Sequence, residues 1–426
     1  MRVLLIGSGG REHALALAIN KSSFLDKLFI IPGNPGTGMV GENINIKPSQ
    51  SEEVLKFCRA EKIDLVVIGP EQPLVDGLSD YLRKESIKVF GPGRKAAEIE
   101  GYKSFAKKLM KKYKIPTSDF FEFNSEEYEK AVSYLKKSKY PLVIKADGLA
   151  AGKGVIICSN FNEAEKTLKD FFVDKIFGPS GEKIIIEEFM EGEEASILVI
   201  TDGLDFVSLP SSQDHKRIGD NDTGKNTGGM GAYSPAPIIT NELLTQVEEK
   251  IIKPTLEGMR TEGYPFTGCL YAGLMITNEG PKVVEFNCRF GDPETQVILP
   301  LLKGDFLKLL YSSASGKLDK NSVRYEDGCA VCIVAASKGY PDSYKKGFEI
   351  TGLDINDKKI IIYHAGTDQA NDKIVSNGGR VLAVTAVLNK NDLREAREKA
   401  YEAIKEIHFQ GMYYRKDIAV KALKWI

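Results

Sequence analysis

Val283-Val284-Glu285-Phe286-Asn287-Cys288-Arg289 runs directly into Phe290-Gly291-Asp292-Pro293-Glu294-Thr295-Gln296. Strand side chains alternate between faces, so this pattern predicts Glu285, Asn287 and Arg289 on one side and Val284, Phe286 and Cys288 on the other. One face is apolar; the other offers two oxygen ligands and a guanidinium. A carboxylate and an amide carbonyl roughly 7 Å apart along a strand can both reach a hard divalent cation. The arginine then stands ready for an anion beside it. That layout suits phosphoryl transfer, whereas Glu285 and Asn287 alone would also fit an antiparallel strand with one wet face.

The chain of 426 residues is too long for one core and predicts about three domains. With 58 basic against 59 acidic residues, no global charge draws it onto nucleic acid or an anionic membrane, so any anion site must be local. The opening Met1-Arg2-Val3-Leu4-Leu5-Ile6-Gly7 is too short an apolar run for a signal peptide, and no segment has the length of a membrane span. A cytoplasmic protein is expected. The six cysteines lie in apolar segments and read as reduced, buried thiols. Cys329 and Cys332 form a lone CxxC, but in a strand their odd spacing sends them to opposite faces, which argues against zinc or redox chemistry.

Upstream, short apolar runs at 3–6, 28–31 and 65–68 alternate with helical patterns at 12–19, 52–60 and 75–84. This order predicts a parallel, doubly wound sheet whose ligands bind at the carboxyl ends of its strands. The loops there are Gly7-Ser8-Gly9-Gly10-Arg11-Glu12, Pro32-Gly33-Asn34-Pro35-Gly36-Thr37 and Gly69-Pro70-Glu71-Gln72-Pro73-Leu74. The dinucleotide fingerprint fails because Glu12 stands where its third glycine belongs. The first loop can still hold one phosphate on backbone amides, or serve only as a tight turn.

Residues 94–112 read as one basic helix. After it, Lys145 closes a strand that leads into Ala146-Asp147-Gly148-Leu149-Ala150-Ala151-Gly152-Lys153-Gly154. Asp147 and Gly154 rule out a P-loop, leaving a mobile flap over phosphates or an ordinary hairpin. Residues 211–235 are expected to lack regular structure and to form a substrate loop, with His215 among Asp214, Lys216 and Arg217 as an anion contact. Helices are expected at 243–260 and 294–310, and a small α+β domain from about residue 323.

RFGDPETQ at 289–296, with GSGGREHAL, GPEQPL, IKADGLAAGKGV, EEFMEGEEAS, SQDHKR, NTGGMGAYSP, HAGT and NGGRVL in order, resembles the phosphoribosylamine–glycine ligase family. The resemblance spans essentially the whole chain. It implies an α/β N-terminal substrate domain at 1–101, an ATP-grasp region at 102–322 with a flap lobe over about 117–192, and a C-terminal α+β domain at 323–426. It also implies ATP-dependent joining of glycine to 5-phosphoribosylamine through a glycyl phosphate, in purine synthesis. Lys103 and Lys145 would touch the nucleotide phosphates, and the flap with Gly152, Lys153 and Gly154 would cover them. Glu187 belongs to the same nucleotide site, with Glu188 and Met190 at adenine and Glu194 at the ribose. Glu285 and Asn287 would hold magnesium, which manganese could replace. Arg289 would offset charge on the glycine carboxylate or acyl phosphate, and Asp214 would orient an amine or take its proton. Gly9, Gly10, Asn34, Glu71, Asp214 and Lys216 are candidates for holding phosphoribosylamine or glycine. A monomer is expected, with at most transient contact to the enzyme that supplies phosphoribosylamine.

Many members of the wider superfamily carry a further acidic metal ligand on the preceding strand, but Leu270-Tyr271-Ala272-Gly273-Leu274-Met275 has none. The rival readings are another ATP-grasp enzyme such as a nucleotide carboxylase or peptide ligase, a regulatory nucleotide-binding protein, and an oxidoreductase.

Overall fold

The five N-terminal strands, in spatial order Glu42–Asn43, Lys27–Pro32, Arg2–Gly7, Leu65–Ile68 and Val89–Phe90, pair in parallel throughout. Leu4, Ile6 and Phe29 enter one core and Val3, Leu5 and Ile30 another, so both faces of the sheet are covered. That is why these strands read as unbroken apolar runs. Strand order reverses beside Arg2–Gly7, and the three glycine-bearing loops gather at the carboxyl edge next to that switch point. The computed structural model describes residues 1–150 and 154–426; the expected flap residues Gly152 and Lys153 therefore lie outside the described residues.

Two antiparallel sheets build the centre. Phe120–Asn124, Lys183–Glu188, Leu142–Ala146 and Val155–Cys158 form one, with the Tyr128–Leu135 and Phe161–Phe172 helices over its core. Phe206–Ser208, Glu193–Thr201, Gly268–Thr277 and Gly280–Asn287 form the other. A third sheet joins Gln213–Asp214 and Gly231–Ser234 to Cys329–Ser337, Arg380–Leu388, Ile360–His364 and Met412–Tyr413. The chain thus returns from 213–234 into the sheet of its last hundred residues. Cys329 and Cys332 sit on one strand, both buried, in different core clusters. No described helix is long and apolar enough to cross a membrane.

Several expected elements are cut shorter. The helix expected at 75–84 is two, Glu71–Val75 and Leu78–Lys84, because Gly77 between them adopts φ +92°. The basic helix expected at 94–112 breaks at extended Tyr102 into Arg94–Gly101 and Lys103–Lys112. The helix expected at 294–310 yields Thr295–Ile298 and Phe306–Ala314, separated by a turn that carries Pro300 and by the Leu302–Gly304 strand. Residues 211–235 are not structureless, contrary to expectation. They hold the two strands just named and a hairpin of Arg217–Gly219 with Thr223–Asn226. Strands of two to four residues are too short to show a period in sequence.

Candidate active site

The Gly280–Asn287 strand does not alternate strictly. Its partner sets Gly273 opposite Glu285 and Leu274 opposite Val283, leaving Val284 as a bulge residue. Val283, Phe286 and Cys288 therefore share the core, and Val284, expected there with Phe286 and Cys288, is only half-buried. The bulge frees the Val284 carbonyl, which accepts a hydrogen bond from Lys145 Nζ at 3.2 Å. The Cys288 amide donates to Glu100 Oε2 at 2.7 Å. Between those two anchors, Glu285 is half-buried and Asn287 is buried. A carboxylate and an amide oxygen suit a hard cation. Among the described residues no three His, Cys, Asp or Glu side chains gather as a metal cluster, so such a cation would complete its shell with ligand and water oxygens.

Lys145, on the Leu142–Ala146 strand, is buried with its Nζ 2.9 and 3.0 Å from the two oxygens of Glu187. Burial would raise the Glu187 carboxyl, but Lys145 and Lys107 outweigh it and hold it below the usual range. Lys103 opens the Lys103–Lys112 helix; burial lowers its ammonium, with nearby Glu285 opposing and Lys145 adding to the fall. Lys103, Lys145 and Glu285 thus converge from three different elements. Glu188 is exposed and Met190 half-buried on the way to Glu194. A side chain at Gly154 would come within 2.8 Å of Ala150 Cβ and 3.0 Å of Ala146 Cβ, so the packing of Gly154 against these two alanines excludes one.

Asp147, which sequence had used only to exclude a P-loop, ties this lysine helix down. Its carboxylate accepts from the Ser104 amide at 2.6 Å and the Ser104 hydroxyl at 2.8 Å, satisfying the first turn of the helix. Asp147→Ala is expected to cost about 1–2 kcal/mol of stability by losing that cap, which urea unfolding would measure.

Asp214 lies on the Gln213–Asp214 strand with Lys216 Nζ 3.4 Å from its Oδ1, and Lys216 also pairs with Glu194. Burial pushes the Asp214 carboxyl up, against the pull of Lys216. Behind this group, Tyr271 donates to Glu294 Oε1 at 2.7 Å and shares a hydrogen bond of 2.8 Å with Ser196. His215 is corrected. Its ring is buried against Tyr233, and burial lowers its imidazole to about 3, so it is neutral and cannot attract an anion by charge.

At the edge of the N-terminal sheet, Arg289 reaches Glu71 Oε2 at 3.1 Å and Glu100 Oε1 at 2.9 Å. Glu12 occupies the space where the dinucleotide fingerprint needs a glycine, accepting from the Gly9 amide and from Arg11 Nε, both at 2.6 Å. Gly10 lies against Gln296, whose Nε2 would be 2.8 Å from a Cβ there. The Asn34 amide donates to the Ser8 and His364 carbonyls at 2.8 and 2.9 Å, and so fastens its loop to the first loop and to the C-terminal sheet.

Residues 1–100, 101–295 and 330–421 match, in turn, the N, ATP-grasp (A) and C domains of phosphoribosylglycinamide synthetase. The chain belongs to the phosphoribosylglycinamide synthetase family. A relative from Caldanaerobacter subterraneus subsp. tengcongensis, named phosphoribosylamine–glycine ligase, is 48% identical over 98% of this chain and 99% of its own length. One of the same name from Haemophilus influenzae is 46% identical over 100% of this chain and 99% of its own. Among solved structures, the phosphoribosylamine–glycine ligase of Thermotoga maritima superposes with a TM-score of 0.86 at 37% identity, covering 98% of this chain and 100% of that one. The biotin carboxylase domain of Hydrogenobacter thermophilus 2-oxoglutarate carboxylase, solved with MgADP and bicarbonate, shares the fold at a TM-score of 0.75 and 17% identity, covering 97% of this chain and 91% of that one.

Within this family fold, the buried charged groups Glu100, Lys107 and Asp147 beside the site had no role assigned from sequence. Glu100 and Lys107 lay inside what read as one basic helix, where the break at Tyr102 left no signal. Asp147 was visible, but only its distance from Ser104 gives it a partner.

Proposed function

We propose that this chain is an ATP-dependent carbon–nitrogen ligase that joins glycine to 5-phosphoribosylamine, giving glycinamide ribonucleotide, ADP and phosphate in de novo purine synthesis. The observation that carries the reading is the meeting of Lys145 from the flap sheet with the Val284 carbonyl beside Glu285, in a chain of this family. It sets ammonium groups beside an oxygen-ligand face, as in-line phosphoryl transfer requires.

In this reading Lys103 and Lys145 hold the ATP phosphates, and Glu187, Glu188, Met190 and Glu194 line the adenosine side under a flap that includes Gly152, Lys153 and Gly154. Magnesium, or manganese in its place, would be held by Glu285 and Asn287 and would offset phosphate charge. A glycine carboxylate oxygen attacks the γ-phosphorus and ADP leaves, giving glycyl phosphate. The amine of phosphoribosylamine then attacks the carbonyl carbon, the C–O bond to phosphate breaks and the amine loses a proton. Asp214, whose carboxyl burial pushes up, takes that proton. Arg289 stabilises the oxyanion, and Gly9, Gly10, Asn34, Glu71 and Lys216 shape the sugar-phosphate and glycine sites. The chain acts in the cytoplasm as a monomer, with no nucleic acid or membrane partner, and meets the enzyme that supplies phosphoribosylamine only transiently. ADP release is expected to require both glycine and freshly generated phosphoribosylamine. A coupled assay showing release with bicarbonate alone, or with glycine and an unrelated amine, would contradict the reading.

A further inference from the structure

Two buried ammonium groups share one buried carboxylate between the central sheets. Glu187 receives Lys145 at 2.9 and 3.0 Å and Lys107 at 3.0 Å. Lys107, one turn along the helix that Lys103 opens, is 2% exposed. Its other partners are the Thr117 and Ser118 hydroxyls, each 2.8 Å from its Nζ. Those hydroxyls are oriented to accept, since Thr117 donates to the Val283 carbonyl at 2.7 Å and Ser118 to Glu187 Oε2 at 2.8 Å. The Lys107 ammonium thus has two fixed hydroxyl acceptors and an ion-pair partner in Glu187. Lys145 has only Glu187 and the Val284 carbonyl among the described residues.

We infer that Lys107 is a positioning residue for nucleotide binding: it is the standing counter-ion of Glu187, and it leaves Lys145 available to an incoming polyphosphate. The inference rests on the ATP reading above. If Lys145 were the sole partner of Glu187, drawing it toward phosphate would strand a carboxylate that is 3% exposed, a costly step. With Lys107 and Ser118 in place, the carboxylate keeps one cation and one hydroxyl donor when Lys145 moves. The cluster also carries one ammonium in excess of its carboxylate, and an anionic ligand balances that excess.

The test is direct binding to the full chain. Lys107→Met is titrated with the magnesium salt of a β,γ-imido ATP analogue, which cannot be turned over, and separately with adenosine, which has no phosphates. The expected result is about tenfold or more weaker analogue binding with adenosine binding unchanged within about twofold, and recovery of most of the loss in Lys107→Arg. Lys107→Gln, which keeps a donor for Thr117 and Ser118, replaces the Met variant if that one does not melt cooperatively. Unchanged analogue binding overturns the inference, as does equal weakening of analogue and adenosine, which marks a merely structural lysine. A parent chain that fails to bind the analogue would instead sink the ATP reading, so the two failures are told apart.

Discussion

Glu285→Gln is expected to lower kcat/KM by about 10³-fold or more, while the melting temperature stays within about 2 °C of the parent chain. The size follows from the chemistry at that face. The carboxylate is one of only two oxygen side chains on the outward side of the strand, and an amide in its place removes a full negative charge where a divalent cation would sit. Loss of several kcal/mol of charge stabilisation in the transition state corresponds to that rate. Stability is spared because the strand is held by other groups: Lys145 on the Val284 carbonyl, Glu100 on the Cys288 amide, and the apolar side chains of Val283 and Phe286. Steady-state release of ADP and a thermal melt on the same preparation check both halves. Activity within about tenfold of the parent would remove Glu285 from the machinery.

Arg289→Met is expected to lose both stability and activity. The guanidinium stands between Glu71 and Glu100, and the Glu100 carboxylate is 9% exposed as a residue. Removing the cation leaves that carboxylate with only the Cys288 amide, a change expected to cost about 3 kcal/mol or more in urea unfolding. The pH dependence has a defined sign. Burial would raise the Glu71 carboxyl, yet Arg289 and Arg11 hold it down to about 2 against an ordinary value of 4.5. A carboxyl lowered on folding stabilises the native chain fully above about pH 4.5, and that contribution fades as pH falls toward 2. The variant therefore loses most relative to the parent near neutrality, and the two curves converge in acid. A constant offset from pH 7 down to pH 3 would show that Glu71 is not the partner that matters.

Much of this was legible in the sequence because it rests on period and composition. Runs buried on both faces named the parallel sheet, and Glu12, which departs from the dinucleotide fingerprint, fills its place with a carboxylate bonded to the Gly9 amide and to Arg11. The oxygen pair Glu285 and Asn287 was readable from strand alternation, yet the same rule misplaced Val284, since a bulge leaves no mark in residue types. Helix breaks at Tyr102 and Gly77 were missed because charged helical patterns continue across them. Lys107 and Glu100 drew no notice inside that single expected helix for the same reason, although tertiary partners bury both. His215 shows the opposite error. Charged neighbours in sequence suggested an anion contact, but His215 lies just past the Gln213–Asp214 strand, where its ring is buried beside Tyr233.

The most direct measurement follows oxygen. Turnover with glycine labelled by ¹⁸O in both carboxylate oxygens, together with ATP and phosphoribosylamine, is analysed by mass spectrometry of the released phosphate. Attack of the glycine carboxylate on the γ-phosphorus, followed by displacement of phosphate by the amine, predicts one labelled oxygen in each phosphate formed. Phosphate carrying no label, released in step with glycinamide ribonucleotide, would contradict the account.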